Sequence, residues 1–330
     1  MINATKTTIS SSINNYINSV TLARSLNTAK TYKTALDHFS YILSSHKIIP
    51  DQSHPEILKE ESITWFITEL KKFSATTERL YLTAITGYFE YLIAENLSFV
   101  NLSKIRLLIK QRARRPGQRL PQFPKEYIEL IIKYANNLAL LNTKDESEYL
   151  RNLRDRAFII TLADTGLRVH EACALRRGDL DWNEGKALII GKGDRQAVIR
   201  FSTRALHCIK DYIIARSKLD GASKKSLSSL PLFARHDRGT GKKIKPITTT
   251  TGRNIIEQRI FEALGQDAAG TVTPHSFRHY FVTTVLQGSG GNLKLAQELA
   301  RHKNIAVTQR YAHLTDEELD KNYWDIFNKH

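Results

Sequence analysis

The sequence predicts a mostly α-helical protein of two domains, with one small β-sheet in the second. Three observations lead there. From about residue 10 to residue 110, apolar residues recur at helical spacing and nothing alternates with period two for long. A break follows, where Pro116, Gly117, Pro121 and Pro124 exclude a continuous helix. Beyond it, a single pair of apolar runs flanks the turn "GKGDR", the pattern of a β-hairpin set among helical stretches. A chain of 330 residues, 41% of them hydrophobic, is long enough for two units and apolar enough to bury real cores.

Taken in order, "TAKTYKTALDHFSYIL" places Tyr32, Leu36, Phe39, Ile42 and Leu43 on one helical stripe. "SITWFITELKKF" predicts a shorter helix, and "ERLYLTAITGYFEYLIAEN" repeats the stripe through Leu82, Ile85, Phe89, Leu92 and Ile93. The first domain is therefore expected over residues 1–110, a basic linker over 111–124 and the second domain over 125–330. In the second domain, "LRDRAFIITLADTGLR" reads as a helix ending near Gly166. Ala187 to Ile190 and Ala197 to Phe201 form the hairpin, and "TRALHCIKDYIIARSKL" returns to helix. "DGASKKSLSSL" reads as a polar surface loop. Helices follow in "GRNIIEQRIFEALG", in "SFRHYFVTTVLQG" behind Pro274, and in "NLKLAQELA". "DEELDKNYWDIF" is amphipathic, with Leu319, Tyr323, Trp324 and Phe327 as its apolar side.

Charge narrows the function. Lysine and arginine number 49 against 33 acidic residues, a net of +16, which predicts attraction to a polyanion and nucleic acid first. The run from Lys104 to Arg119 holds no acidic residue; Lys110, Arg112, Arg114, Arg115 and Arg119 are its candidate DNA contacts, suited to tracking phosphates without reading bases. No run of 18 apolar residues marks a membrane span. The N-terminus lacks the pattern of a secretory signal, and two cysteines form neither a disulfide framework nor a zinc site. A cytoplasmic, nucleoid-associated protein is expected.

Candidate chemistry lies in four separated stretches. Arg168 closes "ADTGLR", Lys192 sits in the hairpin turn, "PHSFRH" carries His275 and Arg278 on one helical face, and His302 precedes Tyr311 by nine positions. Singly, each has a structural use: a cation at a helix end, a solvated turn lysine, a capping histidine, a packing tyrosine. Their joint order resembles the tyrosine recombinase family of phage-integrase and Xer-like enzymes. That family's pattern is an arginine at a TGLR helix end, a hairpin lysine, H-x-x-R, a second histidine and then a nucleophilic tyrosine. One departure is visible. The family commonly has Leu-Gly before the second histidine, whereas Ala300 and Arg301 stand here.

The resemblance implies a site-specific recombinase that cuts and rejoins double-stranded DNA through a 3′-phosphotyrosyl intermediate at Tyr311. Arg168 and Arg278 would fork onto the non-bridging oxygens, and His275 would take the phenolic proton or hold the phosphate. Lys192 would protonate the departing 5′ oxygen, and His302 would hydrogen-bond the phosphate. Glu171 would anchor an arginine or histidine from behind. No metal or other cofactor is implied. The fold implied is a C-shaped clamp, pairing a helical, SAM-like core-binding domain with the catalytic domain. The partners implied are duplex DNA and a homo-tetramer in the synaptic complex, with a paralogous recombinase as an alternative partner. A C-terminal segment at about 316–330 would be exchanged between protomers. Two other readings fit less of the pattern: a type IB topoisomerase, and a non-catalytic DNA-binding protein of the same fold.

Overall fold

The computed structural model describes residues 7–115, 124–141, 143–191, 195–236, 244–268, 270–309 and 311. The chain divides into two compact units, residues 1–118 and 119–330. No helix among the described residues is long and apolar enough to cross a membrane.

The first unit holds α1 (Ile9–Ala23), α2 (Leu26–Ser45), α3 (Glu60–Leu70), α4 (Ala75–Ala94) and α5 (Leu102–Arg112). Side-chain caps set several starts: Thr8, Ser25, Ser74 and Asn101 each accept a backbone N–H of the first turn. The expected stripes do face the core. Tyr32, Leu36, Phe39, Ile42 and Leu43 are buried on α2, as are Leu82, Ile85, Phe89 and Leu92 on α4; Ile93 is only half-buried. Tyr88, fully buried, shares a 2.6 Å hydrogen bond with Ser12, so the core's phenol is not left without a partner.

One polar group is also fully buried at the exit of this unit. Glu78 accepts from Lys71 Nζ at 2.6 Å, from Arg114 Nε at 2.5 Å and from the Arg114 backbone N–H at 3.0 Å. Burial pushes its carboxyl up, but the hydrogen bonds from Lys71 and Arg114 outweigh that and hold it below the ordinary value. Arg114 Nη2 donates further to the carbonyls of Leu70 and Phe73. The chain leaving α5 is thereby fastened to α3 and α4.

The second unit contains α6 (Lys125–Asn137), α7 (Glu146–Thr165), α8 (Val169–Ala174), the strands β1 (Leu180–Asp181), β2 (Lys186–Gly191) and β3 (Arg195–Arg200), then α9 (Thr203–Ala215), α10 (Ser217–Ala222), α11 (Thr249–Leu264), α12 (Pro274–Gly288), α13 (Leu293–Ala300) and α14 (Ile305–Gln309). The strands form one antiparallel sheet in the order β1-β2-β3, with Leu188 opposite Val198 and Ile189 opposite Ala197. Ala187, Ile189 and Ile199 turn inward, while Leu188, Ile190 and Val198 face outward. The hairpin's turn, residues 192–194, lies outside the described residues, as does the segment expected to be exchanged, 316–330.

α7 is the central element. It is enclosed by α6, α8, α9 and α12, and so buries Leu153, Phe158, Ile159 and Leu162 on several faces rather than on one stripe. Its charged residues are paired where they are buried. Asp155 lies between Arg154 and Arg259, whose nitrogens approach it at 2.7 and 2.8 Å.

The stretch "DGASKKSLSSL" is not wholly a surface loop. α10 runs into it because Asp220, 1% exposed, pairs with Arg216 at 2.9 Å and Arg177 at 2.7 Å. Arg216 is itself fully buried and donates to Tyr212 and to the carbonyls of Pro231 and Leu232. Long-range ion pairing therefore draws a polar sequence inward. Asp220→Ala leaves a buried guanidinium without its counter-charge and is expected to cost about 3 kcal/mol in urea unfolding.

Candidate active site

The site is built from helix ends. α7 stops at Gly166, whose φ of 60° is left-handed and whose N–H closes on the Leu162 carbonyl. Glycine is required twice over here. A Cβ would take up this backbone conformation with strain, and it would stand 2.4 Å from the Phe281 ring. The turn sets Arg168 at the start of α8. There Glu171, one turn on, accepts the Arg168 backbone N–H at 2.9 Å and its Nη1 at 2.9 Å. The Arg168 side chain remains 46% exposed, so its guanidinium is held from one side and open on the other.

α12 begins at Pro274 in the first turn, behind Thr273, which exchanges hydrogen bonds with Ser276. His275 and Arg278 follow at a spacing of three. His275 is exposed, whereas Arg278 is only 2% exposed. Arg278 donates to the Gly166 carbonyl at 2.6 Å and to the Ala300 carbonyl. It thus ties the end of α7 to the end of α13. Burial, then Arg168 and Arg301, lowers its pKa to about 10, so it still carries its charge at neutral pH.

α13 ends at Arg301 in the left-handed conformation, φ 58°. For a residue with a Cβ this costs about 1–2 kcal/mol. The departure from the Leu-Gly pattern therefore does not abolish the turn: the arginine adopts the conformation a glycine would take. Its Nη2 reaches Glu171 Oε2 at 3.0 Å. Glu171, 4% exposed at its side chain, is pushed up by burial, but Arg301 and the donors of Arg168 outweigh this and hold its carboxyl low.

His302 follows, fastened by its backbone N–H to the Gln297 carbonyl and by Nδ1 to Thr308 Oγ1 at 2.9 Å. α14 carries the fully buried Thr308, and the Tyr311 N–H closes on the Thr308 carbonyl. The apolar part of the Tyr311 ring packs against a small cluster that includes Val282, Leu286, Ala296 and Ala300. Its faces and edges meet histidines: His279 lies edge-on at 5.0 Å between centroids, and His302 is stacked at 6.3 Å. His275 stands edge-on to His279 at 4.4 Å.

Arg168, Glu171, His275, Arg278, His302 and Tyr311 thus come together in one chain. Lys192 lies outside the described residues, as does Arg119. Of the basic run, Lys110 and Arg115 are exposed, Arg112 donates to Thr64 at 2.9 Å, and Arg114 is bound to Glu78. Two neighbours of the site were not assigned from sequence, His279 and Arg301. His279 directly follows Arg278, and the helical turn that brings it to Tyr311 is set by how α12, α13 and α14 pack.

The electrostatics are lopsided. Among the described residues, Glu171 pairs directly with Arg168 and Arg301 and is close enough to Arg278 to influence its charge, so three guanidinium groups surround one carboxylate. Burial, then Arg278 and Arg168, lowers the pKa of His302 to about 4, and burial with His275 and Arg278 does the same for His279. His275 is shifted in the same direction by partial withdrawal from water, then by Arg278 and Arg168. All three imidazoles are neutral at neutral pH, and the pocket as a whole calls for an anion.

The phage integrase family profile matches residues 128–318, more than half of the chain. A tyrosine recombinase XerC of Treponema denticola is 30% identical over 281 residues, covering 81% of this chain and 83% of that protein. A XerC of Thermodesulfovibrio yellowstonii is 28% identical over 311 residues, covering 92% and 91%. Among solved structures, the XerH site-specific recombinase bound to difH substrate in a pre-cleavage complex aligns with a TM-score of 0.65 at 20% identity, covering 94% of this chain and 83% of that one. A lambda integrase dimer bound to a COC′ core site aligns at 0.60 and 16% identity, covering 93% and 96%. At such identities these structures speak to the fold. The chain belongs to the phage integrase family. It is a tyrosine recombinase, an enzyme of site-specific DNA recombination.

His279 and His302, the two histidines lowered to about 4, make stability depend on pH. Unfolded imidazoles take up protons near the ordinary value of 6.5, whereas folded His279 and His302 resist until about 4. The unfolded state therefore binds more protons in that window, and stability falls as pH drops from about 6.5 toward 4. Urea unfolding at about pH 7 and about pH 5 should show this loss, and His302→Gln should reduce it.

Proposed function

We propose that Tyr311 attacks a DNA phosphodiester and is joined to the 3′ phosphate, releasing a 5′ hydroxyl. The observation that carries this reading is the meeting of a phenol, three imidazoles and an excess of guanidinium charge, from three separate stretches of chain, at one site. A phenol with a pKa of about 10 is a poor nucleophile unless its proton has a destination and its developing charge a partner. Arg168 offers its open guanidinium edge to the non-bridging oxygens, and Arg278 places fixed positive charge behind them. Preorganised cations at developing charge are commonly worth several kcal/mol.

His275, neutral and exposed, accepts the phenolic proton. His302 donates to the phosphate: when Thr308 gives its hydroxyl proton to Nδ1, the imidazole proton resides on Nε2. His279 orients the phenol through its edge-on ring. Glu171 restrains Arg168 from behind. Lys192 delivers the proton to the departing 5′ oxygen. Attack of a second 5′ hydroxyl on the phosphotyrosine reseals a strand, because the phosphoester bond energy is kept in the intermediate. No nucleotide or metal enters this scheme.

Duplex DNA is the substrate. Residues 1–110 serve as a core-binding domain and residues 125–330 as the catalytic domain, joined by the linker at 111–124. Lys110, Arg112, Arg115 and Arg119 contact phosphates, with the steep salt dependence that such contacts bring. Arg114, expected among them, is better placed to aim the linker, because its guanidinium is held by Glu78. Recombination proceeds in a tetramer, of this chain alone or with a paralogous recombinase, in which segment 316–330 docks on a neighbour. The enzyme works at the nucleoid.

Duplexes selected by the full chain from a random library, then nicked to trap the covalent product, test this. The wild type should yield a protein–DNA adduct carrying phosphotyrosine. Tyr311→Phe should yield none while binding the same duplex within about twofold of wild type. An adduct formed by the phenylalanine variant would refute the assignment.

A further inference from the structure

Arg301 takes a left-handed backbone conformation that glycine adopts freely, so the turn itself has no need of an arginine there. Its side chain is nonetheless 13% exposed and crosses 130 positions of sequence to reach Glu171. The oxygen it meets, Oε2, is the one that also accepts the Arg168 backbone N–H, and Oε1 receives the Arg168 guanidinium. One buried carboxylate is therefore gripped from two sides, by the residue that begins α8 and by the residue that precedes His302. Arg301 Nε is buried and makes no hydrogen bond, so the guanidinium is not there to satisfy a dense local network. The Glu171 pair is its directional contact.

We propose that Arg301 is a positioning residue for strand cleavage: through Glu171 it clamps the turn bearing His302 onto the helix start bearing Arg168. The two phosphate-facing groups then keep a constant separation when the substrate arrives. Arg278 supplies a second tie, to the carbonyls on either side, but it runs from the backbone of Gly166 to that of Ala300 and makes no hydrogen bond to α8, which otherwise rests on its packing against α7 and α11. The Arg301–Glu171 pair adds a direct side-chain tie from the His302 turn to α8. This inference rests on the catalytic reading of Tyr311 given above.

The experiment uses the full chain with duplexes selected from a random library by the wild type and nicked to trap the adduct. Equilibrium binding, the single-turnover rate of adduct formation and the melting temperature are measured for wild type, Arg301→Gly and Arg301→Lys. The glycine variant should bind duplex within about threefold of wild type and cleave at least about tenfold more slowly. Its melting temperature should not fall in proportion, because glycine relieves the backbone. The lysine variant, which keeps a cation able to reach Glu171, should recover cleavage to within about threefold. Should the glycine variant fail to fold, Arg301→Gln, similar in length but uncharged, stands in for it under the same criteria. Wild-type cleavage by the glycine or glutamine variant, or a slow rate explained by loss of folded protein, overturns the proposal. Failure of lysine to restore any activity does so as well. A wild type that forms no adduct on any selected duplex sinks the catalytic reading itself, a separate and recognisable outcome.

Discussion

One buried carboxylate holds the catalytic unit's charge balance together. Glu171 faces Arg168 and Arg301 directly, while Arg278 stands near enough for its own proton affinity to be influenced by all three. Cations placed so close repel, and removing Arg278 from water adds to the penalty. Without Glu171 the cluster would carry three like charges with no internal counter-ion. With it the cluster is tolerable and still short of negative charge, which favours an incoming anion. Stability of the pocket and its appetite for an anion are thus two consequences of one imbalance.

The backbone is arranged to serve that imbalance. Arg278 does not pair with a carboxylate; it donates to two carbonyls that helices expose where they stop, at Gly166 and Ala300. Helix C-termini present partial negative charge, so these ends stabilise the buried cation without neutralising it. Both ends turn through left-handed residues, Gly166 and Arg301, and within two positions each is followed by a residue of the candidate site, Arg168 and His302. The close approach of Phe281 to Gly166 sets α12 against the end of α7, which aligns Arg278 with its acceptors.

The first unit shows the same economy on a smaller scale. A run of basic residues that looks uniform along the chain divides into two groups in three dimensions. All four are exposed, but Arg112 and Arg114, unlike Lys110 and Arg115, are also bonded back to Thr64 and Glu78. Internal pairing gives the segment leaving α5 a defined direction, and the exposed charges are presented along it. Net charge measures attraction to a polyanion, but the placement of each charge decides which of them can act on it.

Local chemistry made much of this protein legible from its residues. Helical stripes on α2 and α4, the period-two runs of β2 and β3, Gly166 after α7 and Pro274 opening α12 all act within a few positions, so they can be read without a fold. The ordered set of Arg168, His275, Arg278, His302 and Tyr311 was legible because residue type and spacing together are restrictive. Other features were decided only by tertiary structure: His279 against Tyr311, Arg301 on Glu171, Arg114 on Glu78, and Asp220 drawing a polar stretch into α10. Each depends on a long side chain meeting a partner brought near by packing, in the last three cases a buried carboxylate. An exposed cation and a paired one have the same letter in the sequence. Which of the two it becomes is settled by where the chain withdraws an opposite charge from water, because an unpaired charge cannot remain buried there.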